Sequence, residues 1–179
     1  MTATSSDTAR SHLPIVGIIV AAVSLVVDQI SKYVIVEHVL RPEGVTDTPY
    51  FTSQIIELLP FFQLRLSWNA GISFSLFNSG ESGTTAVLLT VQIVMALGLT
   101  WLLHRLDRPW LQAACGLIIG GAIGNIVDRA MFGAVADFLD FYWGSWHFPT
   151  FNVADSCISI GAAMWLLDAV LDRPQDAAE

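Results

Sequence analysis

Four aspartates stand close together in the second half of the chain: Asp128, Asp137, Asp140 and Asp155, within GLIIGGAIGNIVDRAMFGAVADFLDFYWGSWHFPTFNVAD at 116–155. They fall where apolar segments end or begin, and ionisable groups at membrane depth are costly enough to mark a function. Two carboxylates held close together cannot both ionise easily. One keeps a proton near neutral pH while the other acts as a base, and such a pair can activate a water for attack on a peptide carbonyl. Asp155 is the preferred first member because it opens an otherwise apolar segment. The residue pattern leaves its partner open among Asp128, Asp137 and Asp140.

Other chemistries find little support. HExxH is absent and the four histidines, His12, His38, His104 and His147, are scattered, so no metal site and no cofactor are expected. There is no GxSxG elbow and no GxGD. Cys115 and Cys157 lie far apart without a CxxC and read as small buried core residues. Sixteen acids against eight Lys and Arg give a formal charge of −8. No basic patch exists to neutralise phosphates, so nucleic acid is excluded as a partner.

The elements that must position these acids are membrane helices. Of 179 residues, 54% are apolar and only 13% charged, too apolar a composition for an ordinary water-soluble domain. Four segments have the length of a span, near 14–37, 84–104, 111–130 and 152–171. The expected architecture is a single integral membrane domain over 1–179. It is an all-α membrane protein with four transmembrane helices, a small extracytoplasmic β platform at about 40–80, and an amphipathic interfacial loop or helix at about 131–150. The tail before Leu13 reads as a short cap without a cleavable signal.

Each segment carries its own signal. In the first, Asp28 and Lys32 are four apart on one helical face and can pair, either as an interfacial pair with a snorkelling lysine or as a pair facing the bundle. The second is uncharged and reads as scaffold. In the third, Gly116, Gly120 and Gly124, with Gly121 beside them, let another helix approach closely. Asn125, Asp128 and Arg129 at its end are either an interfacial anchor or part of the site. The stretch FFQLRLSWNAGISFSLF alternates like a strand and turns at Asn69, Gly71 and Ser73. The segment 131–150 holds Phe132, Phe138, Phe141, Tyr142, Trp143, Trp146 and Phe148, rings suited to head-group level. Arg10, Arg105, Arg108 and Arg173 fall on one side and Lys32, Arg41, Arg65 and Arg129 on the other, a tie that charge counting does not break. The long acidic loop on the second side favours cytoplasmic termini.

Five blocks in order, DQISK at 28–32, NAGISFSLF at 69–77, GGAIGNIVDR at 120–129, VADF at 135–138 and FNVAD at 151–155, make the chain resemble lipoprotein signal peptidase, or signal peptidase II. This resemblance implies a bacterial inner-membrane aspartyl endopeptidase without a metal. Such an enzyme removes the signal peptide from prolipoproteins just before a diacylglyceryl-modified cysteine. It implies Asp137 and Asp155 as the catalytic pair, which leaves Asp140 as a surface or interfacial acid. It further implies that Asp28, Lys32, Asn69, Gly71, Asn125, Asp128, Arg129 and Asn152 support the site or bind substrate and globomycin-type inhibitors. On this reading Asn69 and Asn152 meet the substrate backbone, Arg129 holds a carbonyl, and Asp128 fixes Arg129. The partners expected are lipid-modified prolipoprotein and membrane lipid, with the protein a monomer.

Two other classes compete. A small proton-coupled transporter or channel subunit would use intramembrane acids as a relay, but the acids cluster at one boundary and no inverted repeat is visible. A structural assembly subunit explains the glycines and leaves the aspartates without a role.

Overall fold

The computed structural model describes residues 13–46, 51–71 and 81–171, the side chains of 81–85 excepted. The tail before Leu13, Asp47, Ser73 with the rest of 72–77, and Arg173 lie outside the described residues. Four helices carry the fold: α1 (Ile15–Tyr33), α2 (Glu81–Leu103), α3 (Pro109–Phe132) and α4 (Val153–Leu171). Each contains a stretch long and apolar enough to cross a membrane. The first runs past the expected end, because α1 passes into a π-helical turn, Val34–Val39, that closes with Leu40 N donating to Ile35 O at 2.8 Å.

Helix α3 is the axis of the bundle and packs against the other three. Within its apolar window 61% is buried, against 22% or less in the others. The glycine stripe is the cause. A Cβ on Gly116 would strike the Gly17 carbonyl, one on Gly120 the Ala21 carbonyl, and one on Gly124 the Asp28 carboxylate, so α1 lies directly on that stripe. Gly121 faces the Ala154 carbonyl of α4 in the same way. Pro109 starts α3 with its preset φ. Gly133, left-handed at φ 74°, ends it by returning its N–H to Arg129 O.

The expected platform is larger than the sequence reading allowed. Strands β1 (Ile55–Leu59), β2 (Phe62–Asn69), β3 (Val135–Trp143) and β4 (Trp146–His147) form one antiparallel sheet in that order. The segment expected as an interfacial loop or helix at 131–150 is therefore a β-hairpin completing the platform. Its Val135–Trp143 run pairs with β2, and a two-residue Gly144-Ser145 turn suits the hairpin, Gly144 taking φ 60°.

Asp140 is also corrected. It is fully buried, not a surface acid, because Gln63 Nε2 donates to it at 2.7 Å across the strand pair and His147 Nδ1 lies 2.9 Å away.

Register delivers the site. Ser67, Trp68 and Asn69 lie opposite Asp137, Ala136 and Val135. The ladder then continues beyond the sheet, with Phe138 N and Leu139 N donating to Phe151 O and Phe151 N donating back to Leu139 O. This pins the start of α4 beside β3. A core of Leu40, Leu64 and Phe138, joined by Ile35, Val39, Leu139 and Val153, fastens the sheet to the ends of α1 and α4.

Candidate active site

Asn152 is the hub. It precedes the first residue of α4, and its Oδ1 accepts from Asp155 N at 2.9 Å while Asp155 Oδ2 accepts from Asn152 N at 3.3 Å. This reciprocal pair is a capping box, with Asn and Asp in place of the commoner Ser and Glu, and it satisfies two donors that a helix start leaves unpaired. Asp155 thus sits in the first turn of α4, at the helix end where negative charge is stabilised. The same Asn152 donates through Nδ2 to Asp137 Oδ1 at 2.7 Å. One buried amide therefore holds both aspartates. Asn125 completes the frame, donating to Asp155 Oδ1 at 2.8 Å and facing Asn152 Nδ2 through its own Oδ1 at 3.2 Å.

Asp137 is only 2% exposed, and its second oxygen accepts from Asn69 Nδ2 at 3.0 Å. Asn69 is aimed from its other end by Gly71 N, which donates to Asn69 Oδ1 at 2.9 Å, a turn that needs the positive φ of 104° at Gly71. Burial pushes the Asp137 carboxyl up from 3.8 to about 7, and the nearby Asp155 charge adds to the rise. The Asn69 and Asn152 hydrogen bonds and the more distant Lys32 charge oppose it without cancelling it. Near neutral pH a large fraction of Asp137 accordingly holds a proton.

Behind this pair lies a buried cation. Lys32 Nζ is 2.8 Å from Asp28 and 2.9 Å from Asp128, and donates to Asn125 Oδ1 at 3.2 Å. The pair thus faces the bundle, and the alternative of an interfacial, snorkelling lysine is overturned. Asp28 Oδ1 accepts from Ala154 N at 2.8 Å, and Asp128 Oδ2 accepts from Ala136 N at 3.2 Å. The charged trio therefore anchors the backbone immediately beside Asp155 and Asp137. Gln29, which sequence reasoning passed over, donates within reach of both Asp28 and Asp128. An amide next to the aspartate in an apolar segment was the available signal.

Asp128 bonds Lys32, Gln29 and Ala136 and its charge also bears on Arg129, whose Nη1 donates to Gln92 Oε1 on α2 at 3.1 Å. Asn152 directs its amide to Asp137 and Asn125. Of the cysteines, Cys115 is buried as expected and Cys157 is partly exposed.

A family model described as Signal peptidase (SPase) II matches residues 20–171. The chain belongs to the signal peptidase II family. A lipoprotein signal peptidase from Rhizorhabdus wittichii is 40% identical over 177 residues, covering 97% of this chain and 96% of its own. One from Vibrio cholerae is 45% identical over 115 residues, 63% of this chain and 67% of its own. A solved structure described as a bacterial membrane enzyme superposes with a TM-score of 0.68 at 25% identity, over 91% of this chain and 92% of that one. The five motif blocks thus lie in a chain whose sequence matches the family along most of its length.

Proposed function

We propose that this chain removes signal peptides from prolipoproteins through an aspartate pair, Asp137 and Asp155, cutting just before a cysteine that already carries diacylglycerol. Family membership supports the peptidase reaction and its prolipoprotein substrate. The observation that supports the aspartate pair is the shared hub: Asn152 holds both carboxylates, and the more buried one keeps its proton near neutral pH.

In this mechanism Asp155 takes a proton from a water whose oxygen attacks the scissile carbonyl carbon, and Asp137 gives its proton to the carbonyl oxygen. The resulting diol collapses as the C–N bond breaks. The proton gained by Asp155 passes to the leaving amine, and Asp137 recovers its own from the diol hydroxyl that becomes the new carboxyl group. Asn125, Asn69 and Asn152 hold the two carboxyls in place, while Lys32 with Asp28 and Asp128 fixes the backbone beneath them.

The chain then works as a monomer in the bacterial inner membrane with both termini cytoplasmic. The sheet lies extracytoplasmically, its exposed Trp143 and Trp146 at head-group level. Globomycin-type inhibitors bind at the same site as the substrate. Purified protein incubated with a diacylglyceryl-modified precursor should yield a product beginning at the lipidated cysteine, as read by mass spectrometry. Equal cleavage of the unmodified precursor would refute the lipid requirement, and proton flux without any peptidase activity would favour the transporter reading.

A further inference from the structure

From Ala86 to Leu103 helix α2 is uncharged and suited to lipid, yet one residue in its middle reaches across to the site. From Ala86 onward its polar side chains are Thr90, Gln92 and Thr100. Both threonines bond back to their own helix, Thr90 Oγ1 to Ala86 O at 2.8 Å and Thr100 Oγ1 to Ala96 O at 2.7 Å. Of these three side chains only Gln92 directs a polar atom to another helix, its Oε1 accepting from Arg129 Nη1 at 3.1 Å. An amide within a span is costly unless it is partnered, and here the partner is a cation.

That cation is incompletely satisfied. Arg129 Nε is buried and has no hydrogen-bond partner among the described residues, although the charges of Asp137, Asp155 and Asp128 all bear on the guanidinium. A buried donor left open costs free energy unless something fills it, and beside a peptidase site the natural acceptor is a carbonyl of the bound chain. A guanidinium is a planar fork, so fixing Nη1 also fixes the direction in which Nε–H points.

We propose that Gln92 is a positioning residue: by holding Arg129 Nη1 from the neighbouring span, it keeps the Nε–H of Arg129 aimed at a backbone carbonyl of the precursor. This rests on the aspartate-pair peptidase reading. It adds a role for α2, which otherwise serves only as scaffold.

The test uses the full chain in lipid nanodiscs with a diacylglyceryl-modified precursor peptide. Loss of a hydrogen bond to a charged group should lower kcat/KM of Gln92→Leu by about ten- to a hundredfold, chiefly through KM. Gln92→Glu, which keeps an oxygen acceptor, should stay within about threefold of wild type. In an Arg129→Ala background Gln92→Leu should add nothing, since the two act as one unit. Peptide affinity, measured in an inactive Asp155→Asn background, should weaken by a similar factor. Full activity and affinity in Gln92→Leu would overturn the proposal. So would a Gln92→Leu loss that persists in the Arg129→Ala background, or a Gln92→Glu as impaired as Gln92→Leu. A wild-type protein that binds the peptide without cutting it would instead refute the peptidase reading, while the affinity comparison still decides the role of Gln92.

Discussion

Asp137 should make the folded protein less stable as pH rises, and replacing it with asparagine should remove that dependence. Its carboxyl titrates near 7 in the folded chain and at 3.8 when released. Between those values the folded state binds the extra proton, so stability falls with rising pH. The linkage relation places the cost at about 2 kcal/mol at pH 5 and about 4 kcal/mol at pH 8. The side chain introduced by Asp137→Asn does not titrate. Its amide would turn a donor toward one of the two amides that now donate to Asp137, Asn69 or Asn152, a mismatch of about 1–3 kcal/mol that is the same at every pH. Other titrating groups are common to both proteins and cancel. Relative to wild type, Asp137→Asn should therefore gain about 2–3 kcal/mol between pH 5 and pH 8. That corresponds to roughly 4–12 °C of unfolding midpoint for a chain of this size. Thermal unfolding in detergent at pH 5, 6, 7 and 8 reads this directly. Parallel curves for the two proteins would refute the burial argument.

Three further outcomes follow from the same geometry. If Asp137 must be protonated to act, kcat/KM should fall by about tenfold from pH 6 to pH 8, and a plateau through pH 8 would contradict its role as the acid. Lys32→Met strands the buried Asp28 and Asp128 charges that now share one cation, so unfolding stability should drop by about 3–5 kcal/mol, as checked by denaturation in mixed micelles. Gly120→Ala forces α1 and α3 apart and should cost about 1–3 kcal/mol. Gly98→Ala, with open space around the added methyl, should instead be neutral or stabilising by up to about 1 kcal/mol in the same thermal assay.

Much of this arrangement was legible in the chain before folding. Hydropathy runs located the four spans, the spacing of Gly116, Gly120 and Gly124 marked the face on which α1 rests, and four-residue spacing paired Asp28 with Lys32. Cost at a membrane boundary drew attention to Asp155. What stayed hidden depends on pairings that local sequence does not carry. The aromatics of β3 fit an interfacial belt and a strand equally well, and with polar residues three apart at Asp137 and Asp140 the run shows no strand alternation; only the Gly144-Ser145 turn favoured a hairpin. Asp140 could be recognised as buried only once Gln63 and His147 were known to lie across from it. The choice of Asp137 over Asp128 required the family resemblance, because their separation follows from the turn at Gly133: Asp128 stays on α3 with Lys32, while Asp137 passes onto β3 beside Asn69 and Asn152. Gln92 went unnoticed because its partner depends on how α2 is rotated against α3.

The central claim is that Asp137 and Asp155 together perform the cleavage. Single-turnover hydrolysis of a diacylglyceryl-modified precursor by Asp137→Asn and by Asp155→Asn tests it most directly. Each substitution keeps the side chain's size and an oxygen acceptor while removing the acid or the base. Both variants should bind the precursor and cut it at least about a thousandfold more slowly than wild type, with the double variant little worse than either single one. Cleavage by either variant at a rate near wild type would contradict the claim.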